Sequence, residues 1–124
     1  MANVLVVDDS PKELYRLKAI LEKNGYNVIT AENGADGVAL CRREKPDAVL
    51  MDIVMPGLNG FQATRQLSKD SETHRIPIII ITTKDQETDK VWGLRQGAKD
   101  YLTKPIDEKV LLNTLTKLTS PVSA

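Results

Sequence analysis

What this chain has little of narrows its chemistry before any motif is read. Cys41 is the only cysteine in 124 residues, so an internal disulfide is impossible. Its setting among helix-favouring residues reads as a half-buried small apolar group rather than a reactive thiol. His74 is the only histidine; with no cysteine or second histidine nearby it has no zinc-ligand pattern and reads as an exposed loop residue. Lys plus Arg number 17 and Asp plus Glu number 17, which leaves no excess of positive charge to neutralise a phosphate backbone. No nucleic-acid partner is expected. Aliphatic runs such as Ile78 to Ile81 fall far below bilayer-spanning length, and the opening MANVLVVDD lacks the basic region, apolar core and cleavage site of a leader. The expectation is a soluble cytoplasmic protein with no membrane partner. Repeats, low-complexity segments and linkers are also missing, and the length suits one domain. That domain is assigned to residues 1–120, with 121–124 as a short tail.

What is present is alternation. Apolar β-type runs and helical-period segments take turns from end to end, the pattern of a parallel sheet covered on both faces. Strands are expected at Val4 to Val7, Tyr26 to Thr30, Ala48 to Met51, Ile78 to Ile81 and Tyr101 to Thr103. The first helix opens on Ser10-Pro11-Lys12-Glu13, with a capping Ser, Pro at the first helical position and Glu three after the cap; Leu14, Leu17 and Leu21 form its stripe. Further helices are expected at about Gly34 to Glu44, Phe61 to Ser68, Asp85 to Gln96 and onward from Asp107. Along the fourth, Val91, Leu94 and Ala98 make a stripe with Trp92 at its edge. Five βα units cannot close an eight-unit barrel. The fold expected is a single doubly wound five-stranded parallel sheet in the order 2-1-3-4-5.

In such a sheet the strand ends share one edge, and this sequence places polar residues there. Asp8-Asp9 follows the first strand, Asp52 the third, Thr82-Thr83 the fourth and Lys104-Pro105 the fifth. The crevice outside the carboxyl ends, near the point where the strand order reverses, is where these sheets bind ligands. Singly, each feature reads as a turn, a strand end or a surface charge; their joint occurrence at successive strand ends does not. Clustered carboxylates repel unless a cation sits among them. Lys104 offers one, and an all-oxygen set also suits Mg²⁺, which combines carboxylates with waters and phosphate oxygens. The set reads as a phosphoryl-transfer site in which Asp52 is the nucleophile, with Mg²⁺, Lys104 and a Thr hydroxyl stabilising the equatorial oxygens.

From Asn3 to about Leu118 the chain resembles a response-regulator receiver domain of bacterial two-component signalling, the CheY-like class, with its flavodoxin-like topology. The matching elements are Asp8-Asp9, the block DIVMPGLNG with Asp52, Thr82, Tyr101, and Lys104 before Pro105. The resemblance implies Asp52 as phospho-acceptor, Thr82 as switch hydroxyl and Tyr101 as switch aromatic. It also implies Mg²⁺ ligation by Asp9, Asp52 and the Val54 backbone carbonyl, with Asp8 acting through water. Lys104 would pair with the phosphoryl group, and the Lys104-Pro105 bond would be cis. MDIVMPGLNGFQATRQL and TTKDQETDKVWGLRQGAKDYLTKP look most like regulators of chemotaxis-like systems that control type IV pili and twitching motility. The implied partners are a CheA-like histidine kinase as phosphodonor and a pilus motor or regulatory protein. The latter would meet the surface formed by the fourth helix, fifth strand and fifth helix of a monomer. Three positions depart from the usual pattern: Thr83, where a small residue is usual, and Val54 and Lys84, where polar or acidic residues are common.

Other classes fit less well. A phosphatase resembling haloacid dehalogenases needs a second acid two residues after its nucleophile, but Ser10 follows Asp8 and Val54 follows Asp52 at that spacing. A constitutive interaction module should lack Asp52 or Lys104. A flavin-binding protein should carry a phosphate-cradling loop after the first strand. The expected protein is thus a signalling switch rather than an enzyme; a phosphate sink, or a receiver in another chemotaxis-like pathway, is the alternative role.

Overall fold

The computed structural model describes residues 2–119, so the expected tail at 121–124 lies outside the described residues. Within them, strands β1 (Asn3–Val7), β2 (Asn27–Ala31), β3 (Ala48–Met51), β4 (Ile78–Thr82) and β5 (Asp100–Thr103) alternate with helices. The helices are α1 (Pro11–Lys23), α2 (Gly34–Glu44), α3 (Gly60–Lys69), α4 (Glu87–Arg95) and α5 (Glu108–Thr119). The strands are all parallel, in the order β2-β1-β3-β4-β5 expected from the alternation.

Every residue of β3 and β4 is buried, and successive side chains leave on opposite faces. Val4, Val6, Leu50, Ile79 and Ile81 meet Leu14, Leu17 and Leu21 of α1 and Leu111 and Leu115 of α5. Leu5, Val7, Val49, Met51 and Ile78 meet Val38 and Cys41 of α2 and Ala63 and Leu67 of α3. Burial of each Leu or Ile contributes about 1.5–3 kcal/mol relative to exposure. Two filled faces leave no room for a one-residue slip, because a slip would turn apolar side chains toward the wrong layer.

Two expectations need correction. Cys41 is fully buried rather than half-buried: it stands three residues after Val38, so both point from the same side of α2 into the sheet. Burial pushes its thiol up to about 11. The second concerns α4, where Val91 and Leu94 do not face inward; both are 42 % exposed, and Trp92 beside them is 50 % exposed. The residue that α4 buries is Gly93. A Cβ there would stand 2.8 Å from Ile80 Cδ1 and 3.1 Å from Tyr101 Cδ2, so α4 approaches the sheet through its backbone. Ala98, the third residue of that stripe, is buried, but it follows Gly97, which at φ 113° lies beyond the end of the helix as expected of its stop. Trp92 is at the outer surface, as its position beside Val91 suggested.

Candidate functional site

Ladder hydrogen bonds carry the sheet one residue past β1 and β3. Asp8 N–H donates to the Ala31 carbonyl at 3.1 Å, and Asp52 N–H donates to the Val7 carbonyl at 2.9 Å. Both side chains are thereby fixed at the same edge, Asp8 2 % and Asp52 7 % exposed. Asp9, one residue further from the strand, is exposed. Each of the three offers an oxygen lying within 4.8 Å of the others. That donor set, all carboxylate and open on the Asp9 side, fits a hard divalent cation such as Mg²⁺.

The loop after β3 is shaped by its turn residues. A side chain on Gly60 would collide with the Asp52 carbonyl oxygen, and Gly60 N–H donates to the Ile53 carbonyl at 3.0 Å. Asn59 then caps α3 reciprocally: its Oδ1 accepts from Gln62 N–H at 2.9 Å, and Gln62 Oε1 accepts from Asn59 N–H at 2.9 Å. Within this loop Val54 is exposed, and with Ile53, Met55, Asn59, Phe61 and Lys84 it lines a cavity of about 260 Å³.

Opposite stands Lys104, delivered by β5 and followed by a cis bond to Pro105. Its ammonium lies 2.9 Å from Asp8 Oδ2 and 3.7 Å from Asp52 Oδ2, with the side chain 12 % exposed. Burial pulls its pKa down, but the bond to Asp8 and the charges of Asp52, Asp8 and Glu13 outweigh that and hold it above the usual range. Asp52 is raised, chiefly by burial and then by the charge of Asp8; Lys104, the Ile53 N–H and the Thr82 hydroxyl act the other way. The Ile53 bond, from its N–H to Asp52 Oδ1 at 2.8 Å, is a contact that no side-chain pattern in the sequence could announce.

Thr82 is fully buried, and its hydroxyl oxygen is 3.4 Å from the Lys84 N–H. Thr83 is exposed. Tyr101 already lies inward, 6 % exposed, with its hydroxyl donating to the Lys84 carbonyl at 2.6 Å. Desolvation, together with the charges of Asp89, Asp85 and Asp52, pushes that phenol up to about 12. The residues expected at the strand ends, Asp8, Asp9, Asp52, Thr82 and Lys104, therefore share one edge. Tyr101 reaches the same loop from β5, in the slot that Gly93 leaves open.

Residues 4–116 match the response regulator receiver domain family. The chain belongs to that family. Receiver domains are signalling switches that acquire and lose a phosphoryl group, not classical enzymes. The receiver is 74 % identical over 115 residues to Protein PilH of Pseudomonas aeruginosa, covering 93 % of this chain and 95 % of that one. It is also similar to the solved receiver domain of a sensor histidine kinase from Pseudomonas aeruginosa, which holds a magnesium ion in its active site cleft. That likeness has a TM-score of 0.89 at 32 % identity and covers 97 % of this chain and 98 % of the other. Chemotaxis protein CheY4 of Vibrio cholerae is similar to the same degree, with a TM-score of 0.89, 32 % identity, and coverage of 95 % and 98 %. Among the described residues no helix is long and apolar enough to cross a membrane.

Proposed function

We propose that this receiver is a cytoplasmic, monomeric binding switch in which Asp52 takes a phosphoryl group from the phosphohistidine of a CheA-like kinase. Its output would act on type IV pili and twitching motility. The observation that carries the reading is the Lys104 ammonium, nearly buried and shared between Asp8 at 2.9 Å and Asp52 at 3.7 Å. A cation held there meets negative charge as it gathers on the equatorial phosphoryl oxygens.

In the transfer, an Asp52 carboxylate oxygen bonds to phosphorus as the phosphorus–nitrogen bond breaks, and the leaving imidazole keeps the electron pair. Asp9, Asp52 and the Val54 carbonyl, with Asp8 assisting, would hold Mg²⁺, whose chemistry is to neutralise the phosphoryl oxygens. Lys104 supplies the second positive charge and Thr82 a hydroxyl donor. Thr82 accepts from the Lys84 N–H at 3.4 Å and keeps its O–H for the Asp52 side, where a phosphoryl oxygen offers a stronger, charge-assisted acceptor that draws the hydroxyl further inward. The Lys84 segment, tied to Tyr101 by the 2.6 Å bond, transmits that shift to α4, β5 and α5. This is a population shift driven by contacts that differ between the two states.

The pilus role is supported by the 74 % identity to Protein PilH over nearly the full length of both chains. A phosphate sink, the alternative, needs rapid loss of the group. Val54 offers no polar atom to align an attacking water and Thr83 adds bulk beside the path, which favours a long-lived phosphoryl group and a switch.

The test is intact mass after incubation with acetyl phosphate and Mg²⁺. A single phosphate adduct is expected on the wild type and none on Asp52→Asn or in excess chelator. An adduct that persists in Asp52→Asn, or that forms equally well with chelator, overturns the assignment.

A further inference from the structure

Lys104 reaches the site from a short segment, residues 104–107, that joins β5 to α5. Its own N–H donates to the Thr82 carbonyl at 2.8 Å, which ties the near end of the segment to β4. Pro105 has no N–H with which to add a tie of its own. At the far end Asp107 caps α5, its Oδ1 accepting from the Val110 N–H at 3.2 Å. Ile106, just before the cap, and Leu111, four residues after it, belong to one buried cluster with Leu14 and Leu17 of α1. An apolar pair at those two positions fixes the angle at which the chain enters a helix.

The Ile106 carbonyl is left over from this arrangement. Ile106 is 5 % exposed, and a carbonyl on so buried a residue needs a partner. The partner comes from 90 residues away: Arg16 Nη2 donates to that oxygen at 3.1 Å. Arg16 is otherwise an exposed residue of α1, outside the stripe of Leu14, Leu17 and Leu21.

We propose that Arg16 is a positioning residue for Lys104: by holding the Ile106 carbonyl it fixes to α1 the segment from which the ammonium reaches Asp8 and Asp52. An ammonium on a flexible four-carbon stem keeps its place only if the backbone beneath it does. The contacts to be kept are 2.9 Å to Asp8 and 3.7 Å to Asp52. Helix α1 suits the task because it starts beside the acidic pair, with Ser10 as its cap. One helix then holds both the carboxylates that precede it and the segment that carries their cation.

The role rests on the reading of Lys104 as the phosphoryl group's cation, and the two fail differently. The probe is beryllofluoride with saturating Mg²⁺, whose fluorines stand for the phosphoryl oxygens on Asp52, titrated by ¹⁹F NMR. A small probe reads the site without a docked kinase. Lys104→Ala should bind it more weakly than the wild type. Arg16→Met, which keeps a long stem and removes the donors, should weaken it about 3- to 10-fold. In the Lys104→Ala background the same change should alter affinity by less than about twofold, since the group it positions is gone. Affinity for Mg²⁺ alone should not fall in Arg16→Met, because Asp8, Asp9 and Asp52 are untouched. Should Arg16→Met fail to fold, Arg16→Gln takes its place under the same rule. If Lys104→Ala binds like the wild type, the reading of Lys104 fails. If Lys104→Ala weakens binding but the Arg16 change does not, costs equally in both backgrounds, or lowers Mg²⁺ affinity, the role of Arg16 alone is overturned.

Discussion

Helices α1 and α4 both follow strands whose ends form the site, yet they are held by opposite means. The longer, α1, has 13 residues, a Ser10 cap, Pro at its first position and three buried leucines. By contrast α4 has 9 residues, no side-chain cap bond and Gly93 as its buried residue, while Val91, Trp92 and Leu94 face outward. A helix this short has little stability of its own and depends on what it packs against. With backbone contact in place of interdigitated side chains, α4 can shift at small cost. Buried side chains hold α1 and α5 on one face and α2 and α3 on the other, and α4 is the helix that meets the sheet through its backbone.

The largest effect that could break this contrast is a matched pair of truncations. Leu17→Ala, at a position 1 % exposed, should cost about 2–5 kcal/mol in urea unfolding. Leu94→Ala, at 42 % exposed, should stay within about 0.5 kcal/mol of the wild type. Equal losses would mean that α4 is packed as firmly as α1.

The next effect sharpens the comparison at the site between the two helices. Asp52 is raised by burial and by Asp8, so at neutral pH the folded protein carries a charge in a place that resists it. Asp52→Asn should therefore stabilise the metal-free protein. The sign follows from linkage: a carboxylate raised in the folded state destabilises above its folded pKa, and that penalty fades as pH falls through it. Wild type and variant should thus converge in acid. Millimolar Mg²⁺ should raise the Tm of the wild type and move the variant much less. A variant less stable than the wild type without metal would contradict the electrostatic account.

The smallest effect belongs to the packed layer under α2. Burial moves the Cys41 thiol from 9.0 to about 11, opposed by Lys45 and Arg42. The unfolded thiol ionises first, so the stability contributed by Cys41 is intact below pH 9.0 and is lost as pH rises toward 11. By pH 10 the loss should be about 1 kcal/mol, and the Cys41→Ala variant should lack that slope. Parallel pH profiles for the two proteins would show that Cys41 is not closed in.

Much of the site was legible because parallel strands put their carboxyl ends on one edge. The residue that ends each run, Asp8, Asp52, Thr82 or Lys104, is then placed by topology alone. The α1 stripe was legible for a similar reason: Leu14, Leu17 and Leu21 repeat with the helix and nothing competes. The α4 stripe misled because apolar spacing cannot reveal that Gly93 permits a backbone approach, which turns Val91 and Leu94 outward. The Asn59–Gln62 capping box was written in NGFQ but hidden by the turn character of the loop around it. Glu13 was read as the returning half of a capping box, and that half is not made: the structure shows Asp8 taking the Ser10 N–H it needed. Such competition between a helix end and a charged site has no signature in spacing.

Trp92, half exposed on the loosely held helix and the only tryptophan, can report the central claim that charge at Asp52 repositions α4. The measurement is Trp92 emission during titration with beryllofluoride and Mg²⁺, with site occupancy followed in parallel by ¹⁹F NMR. The predicted result is a change in emission that tracks occupancy in the wild type and is much smaller in Asp52→Asn and Thr82→Ala. Emission that stays flat while the wild-type site fills would contradict it, because α4 would then not carry the signal.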